Sequence, residues 1–226
     1  MRNENFYFPN QSLLNMKHLQ KFNWLLALLF ICANAQPAVA QIPENEDFTW
    51  FGIDFTQAKF IGSATQFKEA GEITNNDFRD KYILSWNKLF IDEPKKYNVA
   101  DAVRRTHVNY LIEVTEKVNN GIRKNFFSND PNDYGTLTAE KVSKLVKEYD
   151  FMGKSGVGLM FFVDGMSKIK SEASAWITFI DVKSKKVLLT AHKTGKSGGF
   201  GFRNYWAKSF DNILSEVKSE VKKSKG

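Results

Sequence analysis

The sequence predicts an α/β (α+β) protein with one mixed, largely antiparallel sheet, helices packed on that sheet, and a long amphipathic helix at the end. Two apolar runs, Val157–Val163 and Ala175–Val182, have the length and residue types of buried strands. Other segments carry apolar residues at steps of three and four, as helices packed on a sheet do. The composition is 42% hydrophobic, 14% aromatic and 25% charged, which excludes disordered and collagen-like chains.

The first forty residues are expected to be a leader and signal peptide rather than part of the fold. Met16 is the expected start, because it directly precedes the basic residues Lys17 and Lys21 and then an apolar run. Small residues after that run predict cleavage after Ala40, and a second site after Ala35 stays open. The apolar run is about ten residues long, whereas a spanning helix needs roughly 20.

Residues 41–226 are expected to form a single globular α/β domain that is soluble in the periplasm, with outer-membrane association left open and no membrane span. Lipid attachment at Cys32 is not expected, because Phe30 and Ile31 precede it where lipobox processing needs a small residue. Cleavage would remove this single cysteine, and with it any disulfide or thiolate chemistry. The formal net charge is +7, and no nucleic-acid partner is expected for an exported protein of this charge.

The first two elements are predicted from their spacing. Phe48–Phe60 alternates aromatic and β-branched residues with polar ones, which predicts a strand. Thr74–Phe90 carries apolar residues at helical spacing, which predicts a helix. Asn75 and Asn76 are its N-cap candidates, and Pro94 marks its end.

The segment Val99–Gly121 is ambiguous. Its first residues, Val99–Arg104, have the pattern of a short helix. Apolar residues then alternate with polar ones, which predicts a half-buried strand through Val108, Tyr110, Ile112 and Val114. Asn119–Gly121 is predicted to be a turn, and Asn125–Gly135 a loop.

The second half has the clearer patterns. Thr138 is the predicted N-cap of a helix with an apolar stripe at Val142, Leu145, Val146 and Tyr149. Val157–Val163 is apolar on both alternations, which predicts a central strand covered on both faces. Ala175–Val182 and Val187–Ala191, joined by four polar residues, predict an antiparallel hairpin. An amphipathic helix of about five turns follows, with apolar residues Trp206, Phe210, Ile213, Leu214, Val217 and Val221.

The most unusual stretch is Gly195–Phe202, which is rich in glycine and precedes the last helix. Backbone amides beside a helix N-terminus can hold an anion, and basic side chains add positive charge. The predicted binding residues are Lys196, Gly198, Gly199, Gly201, Arg203 and Asn204. Thr190 stands where a P-loop needs glycine, and a dinucleotide fingerprint would lack its third glycine. The alternative is a tight connection in which Phe200 and Phe202 pack as plugs.

No catalytic residue, metal site or cofactor is predicted. Asn129–Gly135 lacks the ligands of a calcium loop, and His107 and His192 stand in no zinc motif. Three carboxylates end or interrupt apolar strands, where such groups border a ligand cleft or form turns: Asp54, Asp164 and Asp181.

Two rival functions remain open. The first is a hydrolase of an envelope polymer with these carboxylates and His192 in acid–base roles. It requires two of the side chains to meet in one cleft beside an aromatic wall. The second is a carrier of a small apolar ligand, which requires a cavity of several hundred Å3.

Part of the chain also resembles known exported proteins. Ala175–Trp206 contains Trp-Ile-Thr-Phe-Ile-Asp-Val and Gly-Gly-Phe-Gly-Phe-Arg-Asn-Tyr-Trp, and an earlier run reads Gly-Val-Gly-Leu-Met-Phe-Phe-Val. With Asp54, these segments resemble a family of uncharacterised exported proteins of Gram-negative bacteria, which implies no reaction.

More remotely, the order of elements is similar to the TolB N-terminal domain type. That type includes curli-secretion lipoproteins and lipoprotein activators of penicillin-binding proteins, and the resemblance implies a non-enzymatic envelope module. We therefore expect a non-catalytic periplasmic or envelope binding or assembly accessory module. Its partner would be an envelope protein or an anionic envelope ligand.

Overall fold

The computed structural model describes residues 42–62 and 73–224. The predicted leader, its two cleavage sites and Cys32 lie outside these residues. Within the described ranges, no helix combines the length and the apolar character that crossing a bilayer requires.

The described strands form one seven-stranded sheet. In chain order they are β1 (Phe48–Asp54), β2 (Phe60–Ile61), β3 (Asn109–Tyr110), β4 (Phe127–Ser128), β5 (Val157–Ser167), β6 (Glu172–Asp181) and β7 (Lys186–Lys196). One edge of β5 pairs in parallel with β1 and, further along, with β2. β3 and β4 extend that side with short parallel pairs to β1 and β2. The other edge of β5 pairs antiparallel with β6, which pairs antiparallel with β7.

The predicted largely antiparallel character of the sheet is wrong, because four of its six strand pairs are parallel. Helices separate the strands that form these pairs, and such crossovers return the chain in the same direction. β2, β3 and β4 have two residues each, too few to show a periodicity. The predicted hairpin of β6 and β7 is confirmed.

Helices cover both faces of the sheet. The first, α1, consists of Asn75–Asp77, a π-helical segment Phe78–Ile83 and Leu84–Asp92. It is followed by α2 (Val99–Val103), α3 (Glu113–Asn120), a 3-10 turn (Pro131–Asp133), α4 (Ala139–Glu148) and α5 (Phe202–Lys223). The predicted cap of α4 is confirmed, since the Thr138 hydroxyl accepts from the Lys141 N–H. The long final helix is also confirmed, and with 22 residues it is about a turn longer than expected.

Two expectations in the first half are corrected. Thr74, not Asn75 or Asn76, caps α1, because it exchanges hydrogen bonds with Asp77 in a capping box. The predicted strand through Val114 is also wrong, because β3 stops at Tyr110 and α3 begins at Glu113. Thr115 and Asn119 lie four residues apart on the buried side of this helix, where they bind β1.

The core has two parts, one on each face of the sheet. The larger one packs α1, α2 and α5 against the sheet, with Trp86 and Trp206 at its centre. The smaller one includes residues of α3 and α4 packed around Phe51 and Phe162. Every residue of β5 is buried, which confirms the prediction of a central strand covered on both faces.

Candidate functional site

The structure brings the predicted binding residues together at one end of the sheet. Lys196, Gly198, Gly199, Arg203 and Asn204 line an open groove of about 910 Å3. Gly201 is the N-cap of α5 and lines a neighbouring depression. The connection is shorter than expected, because β7 extends through Lys196 and α5 begins at Phe202.

The glycines of this connection have structural reasons as well. Gly199 and Gly201 have φ values of +100° and +76°, which side chains strongly disfavour. Within β7, a Cβ on Gly195 would lie 2.1 Å from the backbone oxygen of Ser209 in α5. The plug expectation is right for Phe202, which is buried, and wrong for Phe200, which is 76% exposed.

Positive charge dominates the groove. It is lined by the cationic side chains Lys96, Lys196, Arg203 and Lys208, with Glu93 as the single acid in its lining. Three of the four cations form an ion pair with an acidic side chain. Lys196 bonds Glu172 at 2.8 Å, Lys208 bonds Asp211 at 2.7 Å, and Arg203 lies 3.8 Å from Glu93. The cationic side chains of these three pairs remain exposed, and ion pairs in contact with solvent contribute little, so these cations are available to a multivalent anion.

Two of the acid–base candidates meet where β5, β6 and β7 lie side by side. Asp164, next to a bulge in β5, is buried, and its Oδ2 lies 3.0 Å from the Nε2 of His192 in β7. The Ser174 hydroxyl donates to the other oxygen of Asp164. The Trp176 ring lies 5.1 Å from the imidazole. His192 lies within β7, which extends past the predicted strand end at Ala191, and its side chain is 36% exposed.

This arrangement meets part of the condition set for a hydrolase. A carboxylate holds an imidazole beside an aromatic ring, as in an acid–base dyad. However, the buried Ser174 hydroxyl donates to Asp164 and not to His192. In a catalytic triad the serine would instead bond the histidine, and the histidine the carboxylate, so these three residues do not form one. Asp181 lies apart, where it accepts from the Ser184 N–H in the hairpin turn.

Asp54, the third carboxylate, ends β1 at the base of a second cavity. The Tyr149 hydroxyl donates to its Oδ2 at 2.7 Å, and the Thr56 N–H donates to its Oδ1 at 2.5 Å. Burial raises the pKa of the Asp54 carboxyl, and these hydrogen bonds act against that rise. Burial, followed by the charge of Asp54, raises the pKa of Tyr149 well above its ordinary value.

The cavity beside Asp54 has a volume of about 490 Å3. Its apolar walls come from Val114 and Val118 of α3 and from Leu145 of α4. This volume falls within the range of small-molecule sites, about 300–1,000 Å3, and meets the size requirement of the ligand-carrier hypothesis. Nearby, burial and Lys59 lower the pKa of Lys124 to about 8, while the charge of Asp54 opposes that change.

Buried side chains from two helices hold the end of β1, and sequence reasoning missed them. Asn87 of α1 accepts from the Ile53 N–H at 2.7 Å, and Asn119 of α3 accepts from the Phe55 N–H at 2.9 Å. Asn119 also donates to the Ile53 carbonyl at 2.8 Å. These bonds replace a neighbouring strand, since β3 pairs with β1 only at Thr49 and Trp50. They fix the backbone on both sides of Asp54.

The only sequence signal for this arrangement was polar residues on otherwise apolar helix faces. A Cβ on Gly52 would lie 2.4 Å from the Thr115 hydroxyl and 2.5 Å from the Asn87 amide oxygen. The glycine therefore allows both helices to approach β1.

Among the described residues, no three His, Asp or Glu side chains form a group that would hold a metal ion. In comparisons with known proteins, neither a family model nor a curated protein matches this chain.

Proposed function

We propose that the chain is an exported, non-catalytic binding or assembly accessory module of the cell envelope, located in the periplasm. Export is supported by the leader pattern with its basic region, its apolar run and its small residues at Ala40. In this proposal the groove between β7 and α5 binds an anionic group of an envelope protein or envelope ligand.

The observation that carries the proposal is the groove of about 910 Å3 lined by four cationic side chains. Arg203 lies in the first turn of α5, and no side chain caps this turn at Gly201. The positive end of the helix dipole and the guanidinium group therefore face the same region. Phosphate and carboxylate groups fit such an arrangement.

The test is isothermal titration with tripolyphosphate, a flexible polyanion used as a probe. The wild type is expected to bind, and Arg203→Ala to bind roughly tenfold more weakly or worse, because a hydrogen bond to a charged group is lost. Its melting temperature is expected to stay unchanged, because Trp86 bonds the backbone oxygen of Arg203, which alanine keeps.

The control is Lys186→Ala, which removes one positive charge from an exposed site at the opposite end of β7. Equal weakening by both variants, or no binding by the wild type, would contradict the proposal. Capture from envelope extract with the wild type and Arg203→Ala then identifies the partner.

A second candidate function is hydrolysis of an envelope polymer, which the contact between Asp164 and His192 favours. In that reaction Asp164 orients the imidazole, and His192 takes a proton from an attacking water. The test is the release of soluble fragments from isolated peptidoglycan and lipopolysaccharide. Release is expected to be lost in His192→Gln and kept in His107→Gln, and a wild type that releases no fragments excludes this function.

A further inference from the structure

Two large apolar side chains protrude from neighbouring loops at the end of the sheet where the groove lies. Phe200, between β7 and α5, is 76% exposed, and Ile169, between β5 and β6, is 71% exposed. They are the two most exposed large hydrophobic residues of the described part of the chain. The two loops are joined, because the Ser197 N–H donates to the Ser171 carbonyl at 2.9 Å.

Single exposed apolar side chains are common on protein surfaces, but a pair on adjoining loop tips requires an explanation. The remaining exposed hydrophobic residues of the described ranges are less exposed, namely Ile91 at 45%, Val118 at 37% and Met152 at 59%. Ile169 lies within the turn between β5 and β6, which the bond from the Ser171 N–H to the Lys168 carbonyl closes. Phe200 lies in the connection in which the Gly198 N–H donates to the Tyr205 carbonyl.

Basic residues surround the two tips. Lys168 and Lys170 flank Ile169 in the turn, and Lys196 and Arg203 flank the connection that carries Phe200. Two acids accompany them: Glu172, which binds Lys196 at 2.8 Å, and Glu93, which lies 3.8 Å from Arg203.

Two tyrosines lie beneath the lysines. The Lys168 ammonium is 4.0 Å from the centre of the Tyr205 ring, and the Lys170 ammonium is 4.1 Å from that of Tyr134. Aromatic rings with a polar end are typical of the boundary between lipid headgroups and acyl chains. The region thus combines apolar tips, a basic surround and interfacial aromatic residues.

We propose that this region, the tip surface (Lys168, Ile169, Lys170, Lys196, Phe200 and Arg203), docks on a bilayer that contains anionic phospholipid. Phe200 and Ile169 enter the headgroup–acyl boundary, while the basic side chains bind lipid phosphates. A protein partner fits less well, because a stable interface covers about 800 Å2 of each partner, whereas two separate tips offer little flat area. The inference rests in part on the proposed function, since Lys196 and Arg203 also line the groove.

The test uses the full-length processed protein, purified from a periplasmic extract. Its sedimentation is measured with vesicles of phosphatidylglycerol and phosphatidylethanolamine and with vesicles of phosphatidylcholine alone. The wild type is expected to bind the anionic vesicles and to release them at high salt. The double variant Phe200→Ser/Ile169→Ser is expected to bind about tenfold more weakly or worse, because it loses the apolar insertion.

Met152→Ser is the matched control, since it removes an exposed apolar side chain in the loop after α4 and is expected to bind like the wild type. Lys168→Gln/Lys170→Gln is expected to weaken binding to anionic vesicles. The proposal is overturned if the wild type does not prefer anionic vesicles, or if the Phe200/Ile169 variant binds as well as the wild type. It is also overturned if that variant abolishes self-association of the wild type in gel filtration, because the tip surface is then an interface between copies.

The tripolyphosphate titration separates this inference from the proposed function. Ile169→Ser, at a residue outside the groove lining, is expected to keep tripolyphosphate binding while it weakens vesicle binding. If the wild type binds tripolyphosphate but not vesicles, the groove remains supported as an anion site and docking on a bilayer is contradicted. If the wild type binds vesicles but not tripolyphosphate, docking on a bilayer is supported and anion binding in the groove is contradicted.

Discussion

The amide of Asn119 provides a sharp test of how the end of β1 is held. Its oxygen accepts from the Phe55 N–H at 2.9 Å, and its NH2 donates to the Ile53 carbonyl at 2.8 Å. In Asn119→Ala the Phe55 N–H loses its acceptor, while the Ile53 carbonyl keeps a donor at 3.0 Å in Asn87. The variant therefore leaves one backbone donor buried without a partner.

The expected cost follows from that donor and from the space that the amide leaves. A buried polar group without a hydrogen bond costs roughly 1–3 kcal/mol, and the lost packing of a side chain that is 1% exposed adds to it. The free energy of unfolding is expected to fall by about 2–4 kcal/mol. For a domain of this size, that corresponds to a drop of roughly 5–15 °C in the melting temperature.

Asn120→Ala is a closely matched control, because it makes the same exchange one residue later in α3 at an exposed position. Both variants gain the same helix propensity, so the difference between them measures the buried hydrogen bonds together with the lost packing of the buried side chain. Urea unfolding followed by circular dichroism and tryptophan fluorescence measures both variants. A difference below about 0.5 kcal/mol, the usual range of surface substitutions, refutes the assignment.

Three further predictions concern titration and packing. Burial raises the pKa of Asp54, so the native state holds this proton more tightly than the unfolded chain. In urea unfolding, the stability of the wild type relative to Asp54→Asn should decrease as pH rises from about 4 towards 7. A stability difference that stays constant over this range argues against the raised pKa of Asp54. Burial lowers the pKa of Lys124 to about 8, so the wild type should gain stability relative to Lys124→Met between about pH 8 and 10.4; no gain there contradicts the shift. Gly195→Ala brings Cβ to 2.1 Å from the Ser209 oxygen and should cost about 1–3 kcal/mol in thermal unfolding. Gly198→Ala, whose Cβ meets its nearest atom at 4.0 Å, should have little effect, and equal losses contradict the packing argument.

The elements predicted correctly are those whose pattern extends over many residues. β5 is apolar on both alternations, and the structure buries it on both faces. The last helix repeats its apolar residues from Phe202 to Val221, long enough for the helical period to exclude alternatives. Thr138 was recognisable because an N-cap depends on a few adjacent residues.

The elements that were missed depend on partners far away in the chain. β3 has two residues and exists because β1 lies beside it, which no local pattern shows. The alternation around Val114 was ambiguous, and the bonds from Thr115 and Asn119 to β1 favour the helix.

The sites divide in the same way. The glycine-rich connection is local, so its six residues lie in one region of the structure, and their binding role stays a prediction. The contact between Asp164 and His192 joins residues 28 positions apart and depends on the strand register. The contact of Asp54 with Tyr149 spans 95 positions and depends on how α4 ends over β1.

The place of β5 in the chain also determines the order of folding. Among the described residues, β1 and β2 do not pair with each other, and before β5 their strand partners are the two-residue segments β3 and β4. A growing or translocating chain therefore has no sheet to complete until residues 157–167 are available. Pairings across such long separations are slow to form, so we expect the sheet to be completed only after the last third of the chain is available. The proposed export is compatible with this order, since a chain that crosses a membrane unfolded must complete its sheet afterwards.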